Sequence, residues 1–336
     1  TWRDYRAAFA TARDSVTNLA RATAQHAEDT IRQMDVLTAA LSERIEGDGL
    51  QNLDVPRIHK LLVQQSKIMP QLHGLFIYGP DGQWIVTDKE VTPEPANNAD
   101  RDYFQYHRNH TDRNVRIGEV VTSRSTNDLI IPISRRLNNP DGTFAGVLLG
   151  TIKVSYFVDY YGDFKIDDKG ALVLAMRNGT ILVRRPFIAS VVGKSLADSE
   201  IFKRYLPNAS QGIAEVKAIV DDTERLYGYR ALTTYPLVVE AGLSRESITA
   251  PWRRDLLKTG WVLVVLMSAL TALLPAASVS RLATPLTAPP KVLRPPVLTV
   301  RSKPAPVTAA SVMLPVLLIR RKAVAGSSHS RCASAR

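Results

Sequence analysis

The side chains with chemistry to offer cluster between residues 100 and 136. From Asp100-Arg-Asp-Tyr-Phe104 to His107, a guanidinium, carboxylates, aromatic rings and an imidazole fall within about two helical turns. A small anion needs a fixed cation, best the planar guanidinium of Arg, and an aromatic wall that keeps water from weakening the pair. Arg101, Tyr103, Phe104 and His107 are residues of those types, with Asp102 beside them. Arg124, Asp128 and Ser134, expected on strands across from this helix, are the candidates to complete a ligand site. The same letters also fit a plainer account, in which Tyr103 and Phe104 pack in a core while Asp102 caps a helix or pairs with a cation.

No catalytic signature accompanies them. The chain has no Gly-x-Ser-x-Gly, P-loop, Gly-x-Gly-x-x-Gly or His-Glu-x-x-His motif, and its single cysteine is Cys332. His107 and His110 share a helix face but have no acidic cluster beside them, so they read as ordinary helix histidines, and no metal or cofactor is expected. Arg184-Arg185-Pro186 and Lys203-Arg204-Tyr205 read as solvated strand ends without function.

The elements that position the candidate site follow from hydrophobic period. Val16, Leu19, Thr23, Ala27, Ile31, Met34, Leu37, Leu41 and Ile45 recur every three or four residues, with no Gly before Gly47, which predicts one long amphipathic helix from Arg3 to about Glu46. A second helix is expected over 56–66. The period then becomes two: Leu75 to Tyr78, a Gly79-Pro-Asp-Gly82 turn and Trp84 to Thr87 form a hairpin. A short helix over 100–109 and strands over 118–122, 129–137 and 143–154 complete an antiparallel sheet with helices on one side. The same order recurs as a hairpin around Asn178-Gly179, a short helix over 200–206 and strands over 212–220, 225–232 and 237–243. Two α+β modules behind one shared helix are therefore expected, on element order alone.

Long helix, LFIYGPDGQWIVTD, DRDYF, IGEVV, IIPISRRLNNPDGTFAGVLLGTIKVSYF, a second sheet and an apolar span together resemble the double Cache extracytoplasmic sensors of bacterial receptors. These consist of two PDC/PAS-like antiparallel-sheet modules. The resemblance covers residues 1 to about 250 and is nearest to the sensors of membrane diguanylate cyclases and histidine kinases. It implies ligand sensing outside the cytoplasm, a pocket in the first module, an Arg at the place of Arg101 that grips a ligand carboxylate, and a long helix that relays motion inward. It divides the chain into signalling helices over 1–66, a membrane-distal module over 67–160 and a membrane-proximal module over 161–250. A membrane helix over 256–280 and a tail over 281–336 follow. Amino-acid-binding members carry Arg-x-Trp-Tyr, Tyr-x-Asp and a later Asp that holds the amine. The matching places here read Arg101-Asp-Tyr-Phe104, Ile117-Gly-Glu119 and Thr151, so an organic acid is expected in preference to an α-amino acid.

Charge and hydropathy place the rest. The formal charge of +11 sits in the tail: residues 275–336 hold ten Lys/Arg and no acid, leaving +1 for residues 1–274, which argues against nucleic acid as a partner of the folded part. Thr259 to Ser280 is a 22-residue stretch without a charge, long enough to span a bilayer, with Trp261 at its edge. Trp2, Tyr5 and Phe9 at one end and Trp252 at the other are expected at the same membrane face. The chain opens at Thr1 without Met or signal peptide, so a first membrane helix is expected ahead of it in the full gene product. The Pro/Ala-rich tail reads as disordered, either a basic arm or an out-of-frame translation that replaced an output domain, with a diguanylate cyclase as the favoured output. The long apolar stripe of the first helix suits either a homodimer or cover for the two modules, and the chain as given is expected not to be an enzyme. A membrane-anchored enzyme or a scaffold remains the alternative of another class.

Overall fold

Forty-seven consecutive residues, Trp2–Asp48, form the first helix, α1, about 70 Å long. The computed structural model describes residues 2–90 and 97–279, with side chains to 272. Of the stripe anticipated from the sequence, Val16, Thr23, Ala27, Ile31, Met34, Leu41 and Ile45 are buried, and Leu19 and Leu37 are partly buried beside them. A 3-10 turn at Leu50–Asn52 leads to α2, Val55–Ile68, whose first turn is capped by the Asp54 carboxylate accepting from the Arg57 N–H at 3.1 Å.

The first sheet comprises β1 (Leu72–Tyr78), β2 (Trp84–Thr87), β3 (Arg116–Ile117), β4 (Val121–Thr122), β5 (Leu129–Asn138) and β6 (Phe144–Lys153), in the order β2-β1-β6-β5-β3, with β4 also on β5. The strand expected over 118–122 is thus two short pairings. Between β2 and β3 lies α3, Asp102–Asn109. After β6 the chain enters α4, Val154–Gly162, then a second sheet of β7 (Ala171–Met176), β8 (Ile181–Arg185), β9 (Gln211–Lys217), β10 (Glu224–Ala231) and β11 (Leu237–Ser244), ordered β8-β7-β11-β10-β9. The expected short helix before β9 is a π-helical turn, Ile201–Tyr205.

The two sheets share one topology, hairpin strands first and the last strand inserted beside them. Their hairpin turns match in detail. Gly82 and Gly179 both have positive φ, and a Cβ on either would lie 2.5 or 2.4 Å from the backbone nitrogen of Ala99 or Ala197, in the segment that folds back over each turn.

Each sheet presents one face to α1. In the first, Leu75, Ile77, Ile131, Ile133 and Leu148 join the α1 stripe, whereas Phe76, Tyr78, Val147 and Leu149 point the other way and pack against Tyr103 and Phe104 of α3. Helices therefore cover both faces of the first sheet. The reason is the alternation itself: both faces of β1 and β6 are apolar, and each needs a cover. α4, unanticipated, spans the two modules, with Phe157 and Tyr161 buried in the same core as α1 and the second sheet.

Arg245–Val279 forms α5, of which Arg245–Ala272 is long and apolar enough to cross a membrane and has no buried share in its most apolar window. Tyr5 meets Trp252 at 5.5 Å between ring centroids, so the start of α1 and the start of α5 lie together. The tail over 281–336 lies outside the described residues.

Candidate functional site

On the first sheet's face away from α1, a narrow cavity opens where β1, β2, β4 and the approach to α3 converge. Period-two alternation turns Phe76 and Tyr78 to this face, Trp84 joins them from β2, and Leu149 from β6 closes the floor. Trp84 meets Phe76 edge-on at 5.0 Å and Tyr78 at 5.9 Å. The result is an apolar box with polar groups at one end.

Asn98 organises that polar end. It is buried, its amide nitrogen donates to the Tyr78 hydroxyl at 3.0 Å and the Tyr103 hydroxyl at 2.6 Å, and its carbonyl accepts from Trp84 Nε1 and Arg124 Nη1, both at 3.1 Å. Burial holds both tyrosines above the usual phenol range, so they stay neutral. Arg124 forks onto Asp100 at 3.0 and 2.7 Å, an exposed pair in which the Asp100 carboxyl is held below its usual range by that hydrogen bond. Arg101, the residue before α3, gives one hydrogen bond to the Thr122 carbonyl at 3.0 Å and has no ion-pair partner among the described residues. No Asp or Glu lines the cavity among the described residues. Its chemistry is an aromatic box, two guanidinia, neutral hydroxyls and an amide.

Of the residues singled out in the sequence, Arg101, Tyr103 and Arg124 meet at this cavity, Arg124 from a turn rather than a strand. Five others stand elsewhere. Asp102 turns outward to Arg116 at 2.7 Å. Phe104 is fully buried against Phe144 at 5.6 Å. His107, one turn beyond Tyr103 on α3, reaches Ser134 on β5 at 3.0 Å, so this pair fastens helix to sheet. Asp128 accepts from Thr126 at 2.8 Å; Thr126 in turn bonds His73, which bonds Thr151, at 2.7 and 2.9 Å. Burial depresses both His73 and His107 to about 4, and the carboxylates nearby only partly oppose it. Glu119 accepts from Thr180 of the second module at 3.2 Å, outside the cavity. Sequence reasoning missed Trp84, Tyr78 and Asn98; for the first two the alternation of the hairpin was the available signal. No group of three or more His, Cys, Asp or Glu among the described residues could hold a metal ion.

A family model described as a histidine kinase sensor domain of double-Cache-like type matches residues 154–242. The extracellular domain of rpHK1S-Z16, assigned as a histidine kinase, is 29% identical, with TM-score 0.64 over 73% of this chain and 99% of that one. The fold, two antiparallel-sheet modules behind one long helix, is that of the double Cache sensor domains. The periplasmic sensory domain of the Campylobacter jejuni chemoreceptor Tlp1 has the same fold at 13% identity, with TM-score 0.61 over 73% of this chain and 99% of that one. So does the Pseudomonas aeruginosa amino-acid chemoreceptor PctC, solved with GABA, at 19% identity and TM-score 0.51 over 69% and 99%. No curated protein matches the sequence.

In this double Cache fold, α1 is bolted to both modules by polar contacts. Glu28, buried, accepts from the Thr233 and Thr234 N–H groups at 3.0 and 3.1 Å, in the loop between β10 and β11. Asp35 accepts from the Tyr235 hydroxyl at 2.9 Å and, with its other oxygen, from Arg135 on β5. Glu46 accepts from the Asn138 N–H at 2.8 Å. One carboxylate, Asp35, thus ties the distal sheet to the proximal loop.

Proposed function

We propose that the chain is the ligand-sensing part of a membrane-anchored signal-transduction receptor, with its sensor outside the cytoplasm. On this reading the distal cavity binds a small carboxylate, and α1 with α5 carries the conformational signal. The observation that carries the ligand class is the cavity's charge: Arg101, with no ion pair among the described residues, stands beside an aromatic box, and no carboxylate among the described lining residues seats an amine. A carboxylate would take the Arg101 guanidinium and the Tyr103 hydroxyl, its apolar part lying against Trp84 and Phe76. Ligand closure of the distal sheet is transmitted to the proximal loop because Asp35 holds Arg135 and Tyr235 at once, a two-state bias rather than a chemical step.

The wider reading has further parts. The chain acts by binding, without turnover of its ligand. A second copy pairs along the face of α1 that carries exposed Val36; sedimentation of the detergent-solubilised chain reads this directly. A kinase or chemoreceptor output accords with the sensors that the domain resembles. A diguanylate cyclase rests on the sequence resemblance and is read by cyclic di-GMP levels in cells expressing the natural full-length gene. The ligand class is tested by melting the full chain against short mono- and dicarboxylates and α-amino acids. A ligand at 100 times its Kd stabilises by about 2.7 kcal/mol, a shift of several degrees for a domain of this size. Carboxylates should produce it; a response to α-amino acids alone would overturn the ligand class.

A further inference from the structure

The second sheet carries, on its face away from α1, a polar arrangement for which the distal cavity does not account. Glu240 on β11 is buried, and its Oε1 has no hydrogen-bond partner. Burial alone lifts its carboxyl to about 7. A core position that needed only volume is filled more cheaply by an apolar side chain, since an unpartnered buried carboxyl costs free energy whenever the chain folds. Across the sheet in the same row, with Val173 between them, stands Arg184 on β8. Its side chain is 4% exposed, so the solvated strand end expected from the sequence is corrected: the guanidinium is drawn inward by Asp221, 2.8 Å away. Arg225 on β10, 3% exposed, reaches the same Asp221 at 2.8 Å.

Two guanidinia on one carboxylate leave a positive charge in excess at one end of this face, and Glu240 lacks a donor at the other. Between them lies a narrow cleft, walled by Val173, Ile181, Val216 and Tyr227 and with room as it stands for about one water. Lys217 at the rim pairs outward with Asp222 at 3.1 Å, and burial keeps the Tyr227 hydroxyl protonated, at about 12, so neither supplies Glu240 with a partner. This cavity stands on the proximal sheet where the ligand cavity stands on the distal one, on the face turned from α1.

We propose that the proximal cavity is a second small-molecule site, which takes a compound presenting a protonated amine to Glu240. An ammonium supplies the missing hydrogen bond and the charge that keeps the carboxylate ionised. The Arg184–Arg225 end receives the hydroxyl or acid group at the compound's other end.

The test uses the full chain in detergent micelles, titrated calorimetrically at pH 6.5 with ethanolamine and with 3-aminopropanoate. Either amine should bind saturably at millimolar concentration or below. Glu240→Gln, which keeps the side chain's shape and removes its charge, should weaken that binding at least about tenfold while the circular dichroism spectrum is unchanged. An ammonium seated on Glu240 displaces its proton, so titrations in two buffers of different ionisation enthalpy should show proton release, which does not depend on the variant folding. The proposal is overturned if neither amine binds, if binding survives Glu240→Gln, or if no proton is released.

Discussion

Asp35→Ala removes a carboxylate that joins both modules to α1, and its cost follows from the contacts. The carboxylate accepts from the Tyr235 hydroxyl at 2.9 Å and forms an ion pair with Arg135, whose side chain is 16% exposed against 24% for Asp35. Hydrogen bonds to a charged group contribute roughly 1.5–3 kcal/mol each, and fully buried pairs cost more to break. Both ends here are partly wet, and Arg135 keeps the Arg113 carbonyl at 2.6 Å and the Thr38 hydroxyl at 3.2 Å. The lower end applies, about 2–3 kcal/mol, or a fall in Tm of about 5–10 °C. Tyr235→Phe alone should cost about 1 kcal/mol, and the double variant should be more stable than the sum of the two predicts by about 1 kcal/mol, the coupling of the shared bond. The assay is urea unfolding of the detergent-solubilised chain. A loss below about 0.5 kcal/mol for Asp35→Ala, the size of an exposed pair, or strict additivity with Tyr235→Phe, would refute the claim that Asp35 is a structural tie.

Further outcomes follow from the same geometry. Asn98→Ala should cost about 2–3 kcal/mol, because buried Tyr78 and Tyr103 lose their shared donor, and should abolish ligand binding in the distal cavity; a denaturation curve and a titration read both. His73 and His107, depressed to about 4 from 6.5, stay neutral in the fold while the unfolded chain takes up protons, so stability is full above pH 6.5 and falls as pH drops to 4. The loss is about 3 kcal/mol per histidine at most, and His107→Gln should flatten the slope of unfolding free energy against pH. A Cβ at residue 228 would lie 2.4 Å from the Val16 carbonyl oxygen, so Gly228→Ala should push α1 off the second sheet at a cost of about 2 kcal/mol or more, read as a lower urea midpoint.

What was legible in the sequence was whatever repeats at short range. The α1 stripe and both hairpins are periodic, β5, β6, β10 and β11 are short apolar runs between turn signals, and the structure has them within a few residues of where the letters place them. One helix, α4, and the placement of another, α3, were not legible. Val154-Ser-Tyr-Phe-Val reads as strand by composition, yet Val154, Phe157 and Tyr161 fall at helical spacing and bury one face of α4. The cover on the first sheet's second face follows only once Phe76 and Tyr78 are seen to need it. At the candidate site, Arg101 and Tyr103 were readable because a fixed cation next to an aromatic ring is local. His107 and Ser134 share sequence chemistry with a pocket but meet each other, one turn too far along α3. Asn98 looked like a loop residue, and its four partners come from β1, β2, α3 and a turn that only the fold assembles. Arg184 was misread for the same reason, since Asp221 is 37 residues away.

The central claim is that the distal cavity holds a small carboxylate on Arg101. The direct measurement is calorimetric titration of the full chain and of Arg101→Ala with the carboxylate that raises its Tm most. Loss of one charge-assisted hydrogen-bonding partner, roughly 1.5–3 kcal/mol, corresponds to about a 10- to 100-fold weaker Kd, with the fold unchanged because Arg101 spends only one bond on the Thr122 carbonyl. Equal affinity in the variant and the parent chain would contradict the account.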